Sequence, residues 1–195
     1  MIQVNSRGNK LIDNEIKYPD MKELTFRLLR KGDFRAFEEA YNETRESFME
    51  FLDIGEFVQE QTSGVMNGYF QKNLRSRELD SFGLFWKGKI IGVGDFYFMK
   101  MDPQGCQITF WIRSEMQGKG YGQYLLELCT KEAFDVKKFT SAILLIDSKN
   151  IPSLKVALRS GYSFEDYSWH QRMGKLGTSK YVRYVAKRET FKFHY

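Results

Sequence analysis

Between Gln117 and Gly122 the chain reads QGKGYG, three glycines interleaved with a lysine and a tyrosine. A strand-like stretch, QITFWIR over Gln107–Arg113, precedes it, and a helix-like one, YLLELCTKEAF over Tyr124–Phe134, follows. A strand, a glycine-rich turn and a helix start together make an anion site. The amides of a first helical turn have no internal partner, and the helix dipole favours negative charge there. Gly118, Gly120 and Gly122 let a diphosphate reach amides that bulkier side chains would hold away, and Lys119 adds positive charge at the rim. Three signatures compete for this loop. The P-loop pattern G-x-x-x-x-G-K-[ST] does not fit. The dinucleotide fingerprint G-x-G-x-x-G starts on Gly118 and Gly120 but meets Gln123 in its third place. Asp147 ends the next strand about where a ribose-binding acid would sit, so that reading stays open. The pattern Q/R-x-x-G-x-G/A is met at every fixed position by Gln117, Gly120 and Gly122.

Other elements must position this loop. ELTFRLLR (Glu23–Arg30) alternates as a strand does, and Gly32-Asp33 stops it, with Asp33 as a candidate N-cap. Phe37, Ala40, Tyr41, Thr44, Phe48, Phe51 and Leu52 then recur at helical spacing, with Glu39, Glu43, Glu46, Glu50 and Asp53 on another face. A second helical region covers about 56–75, with SGVMNG expected to interrupt it. KGK joins two strands, Phe82–Trp86 and Lys89–Met99, as a hairpin. After the loop and its helix, SAILLID (Ser141–Asp147) reads as a buried parallel strand. PSLKVALRSGY is a short helix with Pro152 in its first turn and Gly161 at its C-terminal cap. YSWHQRM and KYVRYVAK close the chain as two strands. The expected order is β-α-α-β-β-β-α-β-α-β-β, a mixed α/β domain over residues 22–188, with a leader over 1–21 and a tail over 189–195.

Composition narrows the function. The chain has 195 residues, enough for one core, and no apolar run approaches the roughly eighteen residues of a membrane span. The first residues lack the apolar segment of a signal peptide, and Cys106 and Cys129 show no metal spacing. With only His170 and His194 beside them, a zinc site is not expected. These features together predict a cytoplasmic protein with reduced thiols and no membrane partner. The net charge of +5 is uneven: residues 38–60 hold eight acids against Arg45 alone, a local charge of −7 that leaves +12 elsewhere. That asymmetry fits an anionic and a cationic partner, or a solvated acidic helix face. Nucleic-acid binding ranks last, because the basic residues are diffuse and no recognition motif is present.

With the loop in FWIRSEMQGKGYG and NIPSLKVALRSGYSFE after the next strand, residues 22–188 resemble the GNAT N-acetyltransferase superfamily. The spacing N-x-x-S before a short helix ending in Gly-aromatic, with LTFRLLRKGDFRAFEEAYN and SFMEFL earlier, is similar to the branch that acetylates ribosomal-protein N-termini. The resemblance implies a mostly antiparallel sheet of six to seven strands, helices on both faces, and a splayed parallel pair at its centre. It implies acetyl-CoA as cofactor: Gln117, Gly118, Lys119, Gly120, Tyr121 and Gly122 at the pyrophosphate, and the backbone of Phe110, Trp111 and Ile112 along the pantetheine arm. It also implies that Asn150 orients the arm or the acceptor and that Ser153 hydrogen-bonds near the sulfur. Capping of the following helix is the local alternative for Asn150, and a plain first-turn place the alternative for Ser153.

The tyrosine that many members place seven residues after that Asn, as acid for the thiolate, is replaced here by Ala157. Relatives often carry a basic carboxylate on the strand before the loop, where this chain has Gln107; Glu115 lies nearer the phosphates than the amine. His170 is one candidate base, and ordered water leading to Glu46, Glu50 or Asp53 is another. These three acids are also the expected contacts of a cationic acceptor. The expected reaction is acetyl transfer to a primary amine by direct attack, which needs no cysteine nucleophile, in a monomer or homodimer. The acceptor is a protein or peptide N-terminus; a polyamine, an aminoglycoside, or a non-catalytic acyl-CoA-binding role are the alternatives.

Overall fold

The computed structural model describes residues 22–51, 63–76, 79–100, 102–171 and 178–194. Strand β1 (Leu24–Leu28) leads through a 3-10 turn (Lys31–Asp33) into helix α1 (Phe34–Phe51). Asp33 precedes that helix but turns its carboxylate backward, accepting from the Arg30 amide at 2.7 Å and pairing with Arg27. Helix α2 (Ser63–Leu74) follows. Residues 56–62 of the expected helical region lie outside the described residues, but SGVMNG is itself helical, because Met66 and Phe70 are buried and their packing outweighs the low helix propensity of Gly64 and Gly68.

Strands β2 (Leu79–Trp86), β3 (Lys89–Phe98) and β4 (Gly105–Ile112) form an antiparallel meander. Helix α3 (Tyr121–Lys131) and a widened π turn (Glu132–Val136) return the chain to β5 (Ser141–Asp147), parallel to β4. Helix α4 (Ile151–Arg159) precedes the antiparallel pair β6 (Ser163–Gln171) and β7 (Thr178–Lys187). The seven strands stand in the order β1-β2-β3-β4-β5-β7-β6. The expected order of elements is the observed one. Its single parallel pair within an antiparallel sheet is not the doubly wound parallel sheet that a dinucleotide fingerprint requires, so the Asp147 alternative falls.

The two sheet faces carry different cores. Phe82, Leu84, Phe96 and Ile108 pack with Leu125, Cys129 and Ala157 of α3 and α4. On the other face Val93, Phe85 and Ile90 pack with Phe37 and Ala40 of α1 and Phe70 of α2, and Trp111 joins them against Phe37. Alternation along each strand sends successive residues to opposite faces, which sorts the two sets. Helix α4 ends as its sequence predicts. Gly161 takes a φ of 82°, its amide reaches the Leu158 carbonyl at 3.2 Å, and the Tyr162 amide reaches that of Ala157 at 3.1 Å, a Schellman cap. In the tail, Phe191 and Phe193 pack back onto the first core. Among the described residues no helix is long and apolar enough to cross a membrane, and no cluster of His, Cys, Asp and Glu is placed to hold a metal.

Candidate active site

The parallel pair opens where the glycine loop begins. β4 and β5 are paired only over Gly105–Gln107 with Ser141–Ile143, so Ile108–Ile112 run on without β5 as a neighbour. Parallel strands put both carboxyl ends on one side, and the last residues of β4 and β5 therefore flank a slot there. The chain leaves β4 through Arg113 and a 3-10 turn, Ser114–Met116, into the loop. Gly118 and Gly120 take φ values of 71° and 86°, a region that side chains rarely adopt, and Gly120 serves as N-cap of α3 without any side-chain bond. Among the described residues the backbone amides of Gly118, Lys119, Gly120, Tyr121, Gly122 and Gln123 have no hydrogen-bond acceptor, whereas Gln117 and Tyr124 on either side do. A Cβ on Gly118 would meet open space, so the loop's first glycine answers to backbone angle and not to crowding. Six unpartnered amides at a helix start fit a diphosphate.

The side chains of the loop act mainly on the loop itself. Gln117 Nε2 donates to the Ile112 carbonyl at 2.9 Å and ties the turn to the end of β4, while Lys119 Nζ donates to the Glu115 carbonyl at 2.8 Å. Phe110 and Ile112 lie beside Gly122 on the α3 face, and Trp111 turns to the opposite face. What this segment offers the slot is a stretch of strand that runs on beyond its pairing with β5, suited to an extended arm carrying amide groups. Tyr121 is buried at the first turn of α3.

Helix α4 stands against the loop: Val156 is the nearest atom to a Cβ built on Gly122, at 3.6 Å, and Gln123 Nε2 reaches the Arg159 carbonyl at 3.4 Å. Asn150 and Ser153 stand at the N-terminal end of α4, just past the carboxyl end of β5. Asn150 is the N-cap of α4, its Oδ1 accepting from the Ser153 amide at 3.1 Å. Ala157 is fully buried against α3, leaving no room for an acid there. Tyr162 is no substitute: it is buried in the core, with its phenol 2.7 Å from the Thr130 hydroxyl. His170 sits on β6 opposite Ser179, two strands away from β5, and its side chain lies outside the described residues.

The acidic face of α1 divides. Glu43 grips Arg113 through Nε and Nη2, both at 2.5 Å, and Glu39 takes Nη2 at 2.8 Å. Glu46 is exposed; the side chain of Glu50 and the whole of Asp53 lie outside the described residues. The two cysteines are buried free thiols. Burial pushes the Cys106 thiol up to about 12 and Cys129 well above its ordinary value, so neither is a thiolate near neutrality.

One carboxylate escaped the sequence reading. Asp95 lies in β3, opposite Thr109 of β4 and Ser81 of β2. The Ser81 hydroxyl donates to its Oδ1 at 2.5 Å, and burial pushes the carboxyl up to about 6 against that hydrogen bond. The signal available was a lone acid inside a ten-residue strand, KIIGVGDFYF, that is otherwise apolar after its first lysine.

Comparison with known proteins agrees with this geometry. A family model described as an acetyltransferase (GNAT) domain matches residues 23–163. Among solved structures, spermidine N-acetyltransferase from Vibrio cholerae in complex with CoA and spermine superposes with a TM-score of 0.73 at 17% identity, covering 86% of this chain and 96% of that one. Ribosomal-protein-S5-alanine acetyltransferase from Vibrio fischeri gives 0.74 at 14% identity, covering 88% and 96%. An acetyl transferase from Salmonella typhimurium that modifies the N-terminal serine of a 50S ribosomal subunit protein gives 0.72 at 17%, covering 87% and 97%. The sequence finds no match among the curated proteins.

Proposed function

This chain belongs to the GNAT acetyltransferase family, whose cofactor is acetyl-CoA, and from that premise we propose that its acceptor is a protein or peptide N-terminal amine. The single observation that carries the choice is the engagement of Glu39 and Glu43 by Arg113. A polyamine or aminoglycoside carries several positive charges and needs several free carboxylates. Two of the acids on α1 are already engaged by one guanidinium within the fold, and Glu46 is left to face solvent. A single α-ammonium asks for much less. The solved structures that support this reading include enzymes named for ribosomal-protein N-termini, and one named for spermidine supports the alternative.

In this reading the amides of 118–122 hold the cofactor's diphosphate, the strand end Phe110–Ile112, beyond its pairing with β5, aligns its arm, and Asn150 with Ser153 bounds the thioester end. Bound acetyl-CoA supplies the activated acyl group. The residues of this chain orient it and keep α3 and α4 closed behind it. A panel of N-terminal peptides, spermidine and an aminoglycoside, each offered with acetyl-CoA, tests the proposal. Acetylation of peptides at their α-amine is the expected outcome; turnover of the polycations alone overturns it.

A further inference from the structure

We infer that Asp95 accepts the proton that the acceptor amine must lose, with Ser81 as its positioning residue. The inference rests on acetyl transfer to an amine, as above. An ammonium has no lone pair to attack a carbonyl, so some group near the slot has to take its proton.

Asp95 has the right place. Thr109, its cross-strand partner, lies two residues beyond Gln107, the last residue of β4 paired with β5. The carboxylate therefore stands one strand, about 4.8 Å, from the edge at which the slot opens. It also has the right face. Val93 and Trp111, on the same side of the sheet as Asp95 and Thr109, pack with α1, whereas a Cβ on Gly94 would run into Cys129 of α3 on the other side. With α3 and the phosphate loop covering one face, the acceptor's approach is from the other.

The surroundings leave Asp95 free to act. The carboxyl is enclosed, while the residue as a whole keeps partial exposure. No lysine or arginine among the described residues pairs with it, and Ser81 is its one hydrogen-bond partner there. The other groups facing it are not charged. β4 offers Thr109 and Gln107, α1 turns Ala40 and Thr44 to the sheet, and α2 turns Met66 and Phe70. Glu39 and Glu43 of α1 are held by Arg113, and Cys129 across the sheet is a neutral thiol. Other titratable groups on this side are Tyr97, two residues along β3, Tyr41 of α1, which stacks on Phe37, and Lys89 at the start of β3, near enough to Glu43 to act on its carboxyl.

The step balances. Asp95 takes one proton from the ammonium, directly or through water, and becomes a neutral acid. The freed amine attacks the acetyl carbonyl carbon; the C–N bond forms and the C–S bond breaks. The surplus proton on the new nitrogen passes to the departing sulfur, and Asp95 returns its own proton to solvent. A carboxyl at about 6 is ionised at neutral pH and still basic enough to share a proton. Taking a proton from an α-amine is then uphill by on the order of a hundredfold, but from an alkylamine by on the order of ten-thousandfold. The match favours a peptide N-terminus over a polyamine.

The test uses the full chain with acetyl-CoA and its accepted amine, over about pH 6 to 9.5. Asp95→Asn is expected to lower kcat/KM on the order of a hundredfold at pH 7. That loss should shrink as pH passes the amine's own pKa, with CoA affinity unchanged and the melting temperature no lower. Ser81→Ala removes a bond that favours the carboxylate, so the acidic limb of its pH profile should move to higher pH. Asp95→Glu should recover part of the rate. Asp95→Asn with the parent's acidic limb, or with a loss equal at every pH, overturns the inference. If that variant does not fold, an unmoved limb in Ser81→Ala overturns it. A parent that acetylates only a polyamine refutes the peptide acceptor but not acetyl transfer, and the same variants then decide on Asp95 with that amine.

Discussion

Glu43 of α1 holds Nε and Nη2 of the Arg113 guanidinium, 70 residues away, and so fastens the first helix to the strand end from which the cofactor loop departs. The Arg113 amide bonds to the Ile91 carbonyl at 2.9 Å, and its side chain is only 5% exposed. A fork-to-fork pair of this kind has defined geometry as well as strength. It fixes where the loop starts, and it ties two half-exposed acids of α1 to one cation.

Removing both carboxylates, Glu39→Gln with Glu43→Gln, leaves the buried guanidinium with Glu115, 3.5 Å from Nε, in place of its two closer partners. We expect a loss of about 3 kcal/mol in chemical denaturation. The Arg113 hydrogen bond holds the Glu43 carboxyl below its ordinary value of 4.5. A depressed folded-state value contributes stability that is present above the unfolded value and is lost as pH falls through the folded one. Stability of the parent should thus fall more steeply below about pH 4.5 than that of Glu43→Gln.

Gly122→Asp separates folding from cofactor binding. Its Cβ would meet neighbours at 3.6 to 3.9 Å, ordinary contact, and an acid in the first turn of a helix is favourable. The same carboxylate would repel a diphosphate on the amides of 118–122. Calorimetry should show CoA affinity reduced by about 2 kcal/mol or more with an unchanged melting temperature. Gly120→Asp should lose binding too, but with added strain, because Gly120 has a φ of 86°.

Asn150 caps α4, so Asn150→Ala should cost about 1 kcal/mol of stability whether or not the residue touches ligands. Asn150→Asp keeps an equivalent cap. If the amide donor serves the thioester or the acceptor, this variant should retain the parent's stability and lose on the order of tenfold in kcat. Ser153→Ala, which leaves the capping amide in place, should lower kcat without a change in melting. Parent-like kcat in both would return the two residues to the helix alone.

Glu46→Gln with Glu50→Gln tests what remains of the acidic face. Raised acceptor KM, a flatter dependence on salt and unchanged CoA affinity are expected if these acids draw in a cation. The effect should be clearest well below 0.1 M salt, where the screening length exceeds roughly 10 Å. Acceptor kinetics equal to the parent's at low ionic strength would leave Glu46 as a solvated helix residue.

The cofactor loop was legible because its chemistry is local. Gln117, Gly120 and Gly122 are near neighbours in the chain, and the left-handed backbone, the helix start and the open amides all follow from six consecutive residues. The caps of α4 were legible for the same reason, with Asn150, Pro152 and Gly161 each acting within one turn. SGVMNG was misread because glycine lowers helix propensity by only about 1 kcal/mol, less than burial of Met66 and Phe70 returns. Glu39 and Glu43 looked like part of a ligand-facing stripe because helical spacing identifies a face but not what lies opposite it; Arg113 is brought there by the sheet. Asp95 was invisible because its environment belongs to no single segment. Ser81, Asp95 and Thr109 come from three strands, and only their register sets one hydroxyl on the carboxylate and withdraws it from water beside the opening between β4 and β5. Backbone conformation is encoded by neighbours in the chain, whereas desolvation and charge pairing are set by neighbours in space.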